Sequence, residues 1–418
     1  MIKQLPTLRP LPYPLGDLEH IGAIVSISSD IDDTSKKFFR SYHTYFDNYK
    51  LKLGDSYFGI GNYDLKIFFW RLQHGQSILR VTGSLLNMFS IIRHIKNGHL
   101  DSIHSFIEAS NKGHFFFRVR LKFLIFLLNL NKAKIDTWID HGQSMYNFGD
   151  KLFEDGFYYN KDSKQGDDLN SRFYHTDLTI NNGSKGLNIK FAWHHYSPFD
   201  PTLSKEQDYR HWNGFRRLGN NIYSTKDILY PDYTKDGKPY FRFFRFYNSY
   251  IDENGYLEQP NNSNLEDSIN DVILNQIAKS GFYSIIATHL GTPIKSIDLF
   301  KKKNERVLNL LRNYINKNLV HLTSTSRLLN YAWILKYIDW NHVIRGEVTH
   351  IYIKCIDDKH TQKYIPNLID LAGVTFYVTN PEKTHIYIGG TEIKKNYLSL
   401  NESDGKHKSI TIGRLGDL

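Results

Sequence analysis

The chain has 418 residues and a formal net charge of +10, with apolar and charged residues in the proportions usual for a folded protein. This composition excludes a disordered polypeptide, and the single cysteine, Cys355, excludes both an internal disulfide and a cysteine-based zinc site. Because the basic residues are scattered along the sequence, we expect no nucleic-acid partner despite the positive charge.

Two segments bear on the cellular location. Residues 1–17 are rich in proline and lack a charged start followed by an apolar core, so they do not resemble a secretory signal. The apolar segment from Phe115 to Leu130 contains Arg118, Arg120 and Lys122, and it is too short and too charged to span a bilayer. We therefore expect a cytoplasmic protein with no membrane span.

The first predicted element ends in crowded carboxylates. Residues 23–33 have the sequence Ala-Ile-Val-Ser-Ile-Ser-Ser-Asp-Ile-Asp-Asp, a β-branched run that predicts a strand buried on both faces. Carboxylates at the C-terminal tip of such a strand, here Asp30 and Asp32, favour a metal or acid–base site. The alternative is that this cluster caps the helix predicted from Thr34 to Leu51, and the window alone favours neither interpretation.

Helix and strand patterns then alternate for about three hundred residues. This alternation predicts a parallel sheet, and the number of units favours a closed or nearly closed barrel. Residues 196–238 show little periodicity, which is typical of a functional loop. The predicted strands lie at 55–61, 100–106, 134–142, 188–195, 240–246, 283–291 and 320–324, and the predicted helices at 84–97, 114–131, 174–183, 265–280, 304–317 and 327–337.

The pattern changes from Gly346 onward. Short strand patterns follow one another with turn signals such as Asn380-Pro381 and Asp404-Gly405, and no helix separates them. This arrangement predicts a small antiparallel C-terminal β-domain. The expected parts are an N-terminal extension (1–19), the barrel (20–343, with the insertion 196–238) and the β-domain (344–418).

Histidines also fall at the ends of predicted strands. The C-terminal ends of parallel barrel strands converge on one face, so we expect these histidines to meet Asp30 and Asp32 there. Aspartate and histidine with an open position form the ligand set of a hydrolytic zinc-type or related divalent metal, which acidifies a bound water and polarises a carbonyl. The histidines at or just past the ends of four different strands are His104, His141, His194 or His195, and His289.

Three short motifs resemble, in the same order, the first, second and last motifs of the polysaccharide deacetylase superfamily. They are Asp30-Ile31-Asp32, His104-Ser105-Phe106-Ile107-Glu108 and Ala287-Thr288-His289, within a similarity that extends over residues 20–340. Residues 138–142, 174–178 and 288–291 further resemble a bacterial branch of that superfamily. These carbohydrate esterases, which include chitin and peptidoglycan deacetylases, have a distorted (β/α)7 barrel. The resemblance therefore implies a distorted (β/α)7-8 barrel, followed here by the small antiparallel β-domain.

The resemblance also implies roles for the residues of the motifs. Asp30 would be the general base and His289 the general acid, whereas Asp32 and His104 would be ligands of a divalent metal ion. Asp33 is then left to cap the helix that follows the first strand.

The second motif departs from the family pattern. The family pairs two histidines four residues apart, but Glu108 stands where the second histidine would follow His104. Either Glu108 ligates the ion, since a carboxylate suits a divalent metal, or His141 takes that place. The remaining alternative is that other chemistry has replaced deacetylation.

Further residues are candidates for substrate binding. Arg242 and Arg245 end the sixth predicted strand and suit bidentate binding of an anionic group. Their three-residue spacing puts them on opposite faces of the strand, so at most one should point at the site. Trp193 suits stacking on a sugar ring. The set is completed by His175, His194 and His195.

Together these patterns predict a metal-dependent hydrolase that removes an acyl group from a bacterial glycan or glycan precursor. The expected partner is a carbohydrate, with an anionic group if an arginine binds it. One alternative is a glycoside hydrolase or glycosyl-transferring enzyme that uses Asp30 and another carboxylate. The other is a catalytically degenerate barrel that binds a glycan.

Overall fold

A computed structural model of the chain describes the regions that carry most of the predicted strands. The described residues are 6–11, 22–31, 34–57, 88–106, 117–141, 146–148, 166–180, 186–194, 224–246, 250–251, 257–258, 265–290 and 297–413.

The described elements are a mixture of strands and helices up to residue 337 and are mainly strands thereafter. The helices are α1 (Lys36–Asn48), α2 (Met88–Lys96), α3 (Phe117–Leu130), α4 (Thr176–Thr179), α5 (Leu265–Ser268), α6 (Asp271–Ser280), α7 (Ile297–Asn316) and α8 (Thr325–Tyr337), with 3-10 turns at Pro381–Lys383 and Lys395–Tyr397. The strands are β1 (Thr7–Leu8), β2 (Ala23–Asp30), β3 (Gly54–Tyr57), β4 (Leu100–His104), β5 (Thr137–Ile139), β6 (Phe191–Trp193), β7 (Leu229–Tyr233), β8 (Pro239–Phe243), β9 (Tyr250–Ile251), β10 (Leu257–Glu258), β11 (Tyr283–Thr288), β12 (Val320–Leu322), β13 (Ile338–Arg345), β14 (Val348–Asp357), β15 (Lys363–Tyr364), β16 (Thr375–Tyr377), β17 (Thr384–Ile388), β18 (Thr391–Glu392), β19 (Leu398–Asn401) and β20 (Ser409–Ile412).

The largest sheet is curled and barrel-like, with strand order β11-β2-β3-β4-β5-β6-β8-β7. Its pairings are parallel except for the antiparallel β7–β8 pair, and β12 adds to β2 at residues 23–25. The closed barrel expected from the sequence is not formed as a continuous ladder. β7 pairs with β8 along its whole length, and the closing contact to β11 is reduced to two isolated bridges, Phe246 to Ile286 and Thr225 to Tyr283.

Alternation along β2 divides its side chains between two hydrophobic cores. Val25 and Ile27 pack in an outer core with the helices α1, α2, α3, α6 and α7. Ile24 points the other way, into an inner core that includes Trp333 of α8 and strands from the C-terminal part of the chain. By the same alternation, Asp30 faces the inside of the curled sheet, at the end of the strand that α8 does not cover.

The start of α1 bears on the helix-cap interpretation of the carboxylate cluster, of which Asp32 and Asp33 lie outside the described residues. Ser35 is the N-cap of this helix, and its hydroxyl accepts a hydrogen bond from the backbone N–H of Phe38 at 3.1 Å. The capping role expected for Asp33 therefore belongs to Ser35. Asp30 is the last residue of β2 and takes no part in the cap.

The C-terminal strands form two packed sheets. The five-stranded sheet has the order β13-β14-β17-β18 with β15 beside β14, and the four-stranded sheet has the order β1-β16-β20-β19. The five-stranded sheet is mixed rather than antiparallel, because β14 and β17 run parallel. The chain between these two strands crosses to the other sheet, where it forms β16.

The N-terminal segment belongs structurally to these C-terminal sheets. β1 pairs antiparallel with β16, with Thr7 opposite Tyr377. The next residue, Arg9, is fully buried, and its Nε lies 3.1 Å from the Asp404 carboxylate. The expected N-terminal extension thus supplies an edge strand and a buried ion pair.

One further expectation concerns the membrane. Within the described part of the chain, we find no helix whose length and apolarity would let it traverse a bilayer.

Candidate functional site

A buried ion pair stands at the mouth of the curled sheet. Asp30, at the tip of β2, receives both terminal nitrogens of Arg245, with Nη1–Oδ1 and Nη2–Oδ2 distances of 2.9 and 3.0 Å. Ser56 of β3 donates a third hydrogen bond to Oδ1 at 2.6 Å. This bidentate geometry is the strong form of an arginine–carboxylate contact, so the carboxylate is fixed in orientation.

The electrostatic surroundings keep Asp30 ionised. Burial by itself raises the pKa of this carboxyl, because a low-dielectric environment disfavours the charged form. The positive charge of Arg245, followed by His104 and His289, outweighs burial and holds the Asp30 pKa well below its usual range. The site therefore has a fixed negative charge at every physiological pH.

The Trp193 ring packs against the Arg245 guanidinium. The Arg245 guanidinium carbon lies 3.9 Å from the centre of the Trp193 ring, a cation–π contact, and the tryptophan is completely buried. A residue in this position contacts the arginine and does not line an open cleft. The sugar-stacking role predicted for Trp193 is therefore replaced by support of Arg245.

His289 is the accessible neighbour of the ion pair. It follows β11, and its Nε2 lies 3.7 Å from Asp30 Oδ2. The next residue is fixed in place, because the Leu290 backbone N–H donates to the Ser29 hydroxyl at 3.0 Å. The His289 side chain is 23% exposed, whereas those of Asp30 and Arg245 are 3% and 2% exposed. An incoming molecule can thus reach the imidazole more readily than the buried ion pair.

His104 and His141 bring two more imidazoles to the same strand ends. His104 ends β4 and is buried, and its ring lies edge to face with the His141 ring, 4.9 Å between centroids. Asn147 holds the backbone of His141 through two hydrogen bonds, one to the N–H at 3.1 Å and one to the carbonyl at 2.7 Å. Three of the predicted strand-end histidines are therefore brought close to Asp30 or to each other.

The two neighbouring histidines fit part of a divalent-metal site. Zn–N bonds of about 2.0–2.1 Å at a tetrahedral angle put two bound imidazole rings roughly 5 Å apart, close to the observed separation. No set of three metal-binding side chains is found among the described residues. The predicted ligands Asp32 and Glu108, like the predicted substrate residue His195, lie outside the described residues.

His194 and Arg242 take part in a separate network on the outer face of the sheet. His194 Nδ1 lies 2.6 Å from Asp140 Oδ2, and its Nε2 lies 2.8 Å from the Tyr240 hydroxyl. That hydroxyl donates to Asp232 at 3.1 Å, and Arg242 Nε lies 3.7 Å from the same carboxylate. This chain of contacts links β5, β6, β7 and β8. Instead of the predicted substrate contact, both residues therefore have structural partners.

The faces of Arg242 and Arg245 agree with the three-residue spacing. Arg245 points to the inside and binds Asp30, whereas Arg242 points to Asp232. The inward residue is nevertheless paired within the protein and is 1% exposed, so its partner is Asp30 and not a substrate anion.

His175 is buried away from the mouth of the sheet. Its Nε2 donates to the Tyr146 carbonyl at 2.7 Å, and its Nδ1 lies 3.2 Å from the Thr179 hydroxyl. Gly166 packs against the ring so closely that a Cβ there would lie 2.2 Å from Nε2. Burial lowers the His175 pKa to about 4, so the neutral ring is a structural element and not a substrate contact.

Two features of the site were not expected from the sequence. One is the hydrogen bond from Ser56, whose only sequence signal is a small polar residue in a predicted strand. The other is the partner of Arg245, which lies 215 positions earlier in the chain.

Comparisons with known proteins add little to this geometry. No protein-family model matches the chain, and no curated protein has a significantly similar sequence. Among solved structures, the crystal structure of 4-alpha-glucanotransferase from Thermococcus litoralis matches 75% of this chain with 10% identity and a TM-score of 0.34. The matched part is 40% of that protein, so the chain spans less than half of its length. A match this weak indicates neither a shared family nor a shared activity.

Proposed function

We propose that the chain is a carbohydrate-active hydrolase that removes an acyl group from a glycan, with Asp30 and His289 as its reacting side chains. The observation that carries the proposal is the pairing of an ionised, rigidly held carboxylate with a partly exposed imidazole 3.7 Å away. The substrate class comes from the motif resemblance. A distorted barrel completed around the curled sheet belongs to the same proposal.

Asp30 has one oxygen suited to a water molecule. Among the described residues, Oδ1 accepts hydrogen bonds from Ser56 and Arg245, whereas Oδ2 accepts a single one from Arg245. Since a carboxylate oxygen has two lone pairs, Oδ2 can accept another hydrogen bond from an attacking water. Its low pKa makes Asp30 a weak base, so its role is to orient this water and to carry negative charge.

His289 would donate the proton that hydrolysis requires. Its Nε2 lies 3.7 Å from the Asp30 carboxylate, and histidine exchanges protons readily near neutral pH. As water adds to the acyl carbon, the bond from that carbon to the sugar nitrogen or oxygen breaks. The His289 proton then passes to the departing atom, and the proton that the attacking water loses returns to His289, so the products are a free carboxylic acid and a sugar amine or alcohol.

A divalent ion would provide the activation that Asp30 lacks. His104 and His141 would hold it, with Asp32 and Glu108 as further candidate ligands, and it would supply a more acidic water. Metal analysis of purified wild-type protein and of the His104→Ala variant tests this part of the proposal. Equal metal content in the two proteins, or none in either, would contradict it.

The His289→Asn variant tests the catalytic assignment. Loss of a general acid should reduce acetate release from acetylated chitooligosaccharides or acetylated xylan about a hundredfold. The matched control is His385→Asn, because His385 is similarly exposed but lies on β17 among the C-terminal strands. It should leave the rate unchanged.

Two assays separate the alternatives in the same samples. Acetate release without new reducing ends supports deacylation, whereas new reducing ends without acetate indicate glycoside cleavage and contradict the proposal. Glycan binding that persists in both variants, with no product of either kind, would point to a binding protein instead.

A further inference from the structure

The helices α2 and α3 contact each other, and each exposes apolar and basic residues, which together we call the α2–α3 face. Phe123 and Phe126 of α3 are exposed, and so is Phe89 of α2, at 79%. Val119 and Leu130 extend the α3 stripe on either side of the two phenylalanines. On α3 these exposed apolar residues follow at intervals of four, three and four positions, so they lie along one side of the helix.

This exposure is unusual because α3 is apolar on both sides. Leu121, Leu124 and Leu128 already pack in the outer core, which is the side that an ordinary surface helix makes apolar. The opposite side of such a helix is normally polar. An apolar stripe in that position is typical of a surface that contacts another partner.

The charged residues on the two helices are all positive. Arg93 and Lys96 are exposed on α2, and Lys122 is exposed on α3 between the apolar residues. Neither helix contains an aspartate or a glutamate. A second copy of this chain would bring the same positive charges to the contact, so self-association through this face is disfavoured. An anionic partner is complementary to it.

The size of α3 also limits how it can meet a membrane. Its 14 residues extend about 21 Å, which is shorter than the roughly 30 Å of a bilayer core. A helix of this length with exposed phenylalanines and flanking cations can lie in the plane of the membrane surface, with its apolar stripe among the headgroups.

We propose that the α2–α3 face binds an anionic lipid surface, with Phe123 and Phe126 entering the headgroup region and the surrounding basic residues contacting lipid phosphates. The folded core is already complete on the other side of α3, so docking requires no unfolding of the helix. This binding does not depend on the proposed hydrolase activity.

Vesicle flotation of the full chain tests the proposal. The wild-type protein should float with phosphatidylcholine vesicles that contain phosphatidylglycerol and remain unbound to vesicles of phosphatidylcholine alone. The Phe123→Ser/Phe126→Ser variant should bind the anionic vesicles at least about tenfold more weakly, because burial of two aromatic side chains is lost. Higher salt should also weaken wild-type binding.

A matched pair of valines provides the control. Val119 of α3 and Val272 of α6 are 62% and 63% exposed, and both lie on helices. Val119→Ser should weaken vesicle binding, whereas Val272→Ser should not. The His289→Asn variant should bind vesicles as the wild-type protein does. The lipid proposal is therefore tested independently of the catalytic proposal.

Three results would overturn the lipid proposal. They are absence of binding to anionic vesicles, full binding by a Phe123→Ser/Phe126→Ser variant with native circular dichroism, and equal binding to neutral vesicles. Light scattering adds a separate check. If the wild-type protein is a dimer that this double variant converts to a monomer, a second copy of the chain covers the face instead.

Discussion

Replacement of Arg245 with methionine should lower the free energy of unfolding by about 3–5 kcal/mol. The substitution keeps much of the side-chain volume over Trp193 but removes the only described cation that bonds directly to the Asp30 carboxylate. Asp30 would then be a buried negative charge without the positively charged partner that stabilises it most. Chemical denaturation of the two proteins at neutral pH measures the difference.

The control for this prediction is Arg242→Met on the same segment. Arg242 contacts Asp232 at the longer distance of 3.7 Å, so its loss should cost about 1 kcal/mol or less. The double variant Asp30→Leu/Arg245→Met should recover much of the stability, since neither charge is then left alone. If Arg242→Met and Arg245→Met lower the free energy of unfolding equally, the Asp30–Arg245 pair contributes no more to stability than the Arg242–Asp232 contact.

His175→Gln should remove an acid-sensitive component of stability. In the folded protein burial lowers the His175 pKa to about 4, whereas an unfolded histidine has a pKa of about 6.5. Below pH 6.5 the unfolded state therefore binds a proton that the folded state does not. The wild-type protein should lose about 1.4 kcal/mol per pH unit through this residue, and about 3 kcal/mol in total by pH 4.

Glutamine can still donate a hydrogen bond to the Tyr146 carbonyl but does not titrate. Urea denaturation of both proteins between about pH 7 and about pH 4 should show a shallower decline for His175→Gln than for the wild-type protein. Parallel curves for His175→Gln and the wild-type protein would mean that the buried ring contributes nothing to acid sensitivity.

Local patterns predicted the strands that build the site. The β-branched run before Asp30 forms β2, and the runs before His104 and His289 form β4 and β11, because burial on both faces leaves a continuous apolar signal. The alternation of side chains along a strand also correctly predicted that Arg242 and Arg245 point to opposite faces of the sheet. The face of a strand that a side chain occupies alternates from one residue to the next, so it can be deduced without the tertiary structure.

The partners of these residues were not predictable in the same way. The contact of Arg245 with Asp30 depends on the curvature of the whole sheet, and the burial of Trp193 depends on Arg245 above it. β7 was missed because Pro231 interrupts its pattern, and an edge strand tolerates a proline that a central strand does not. The open sheet follows from that missed strand, since β7 occupies the edge of β8 that closure would need.

The pairing of β1 with β16 has a consequence for the order of folding. Arg9 and Tyr377, which share a hydrogen bond, are 368 positions apart, so β16 is synthesised long after β1. Until β16 has emerged, Arg9 cannot be buried against Asp404, and the first segment must wait exposed on the ribosome-bound chain. Such a distant contact slows the final step of folding. Completion of the four-stranded sheet therefore comes after the strands of the curled, barrel-like sheet have been synthesised.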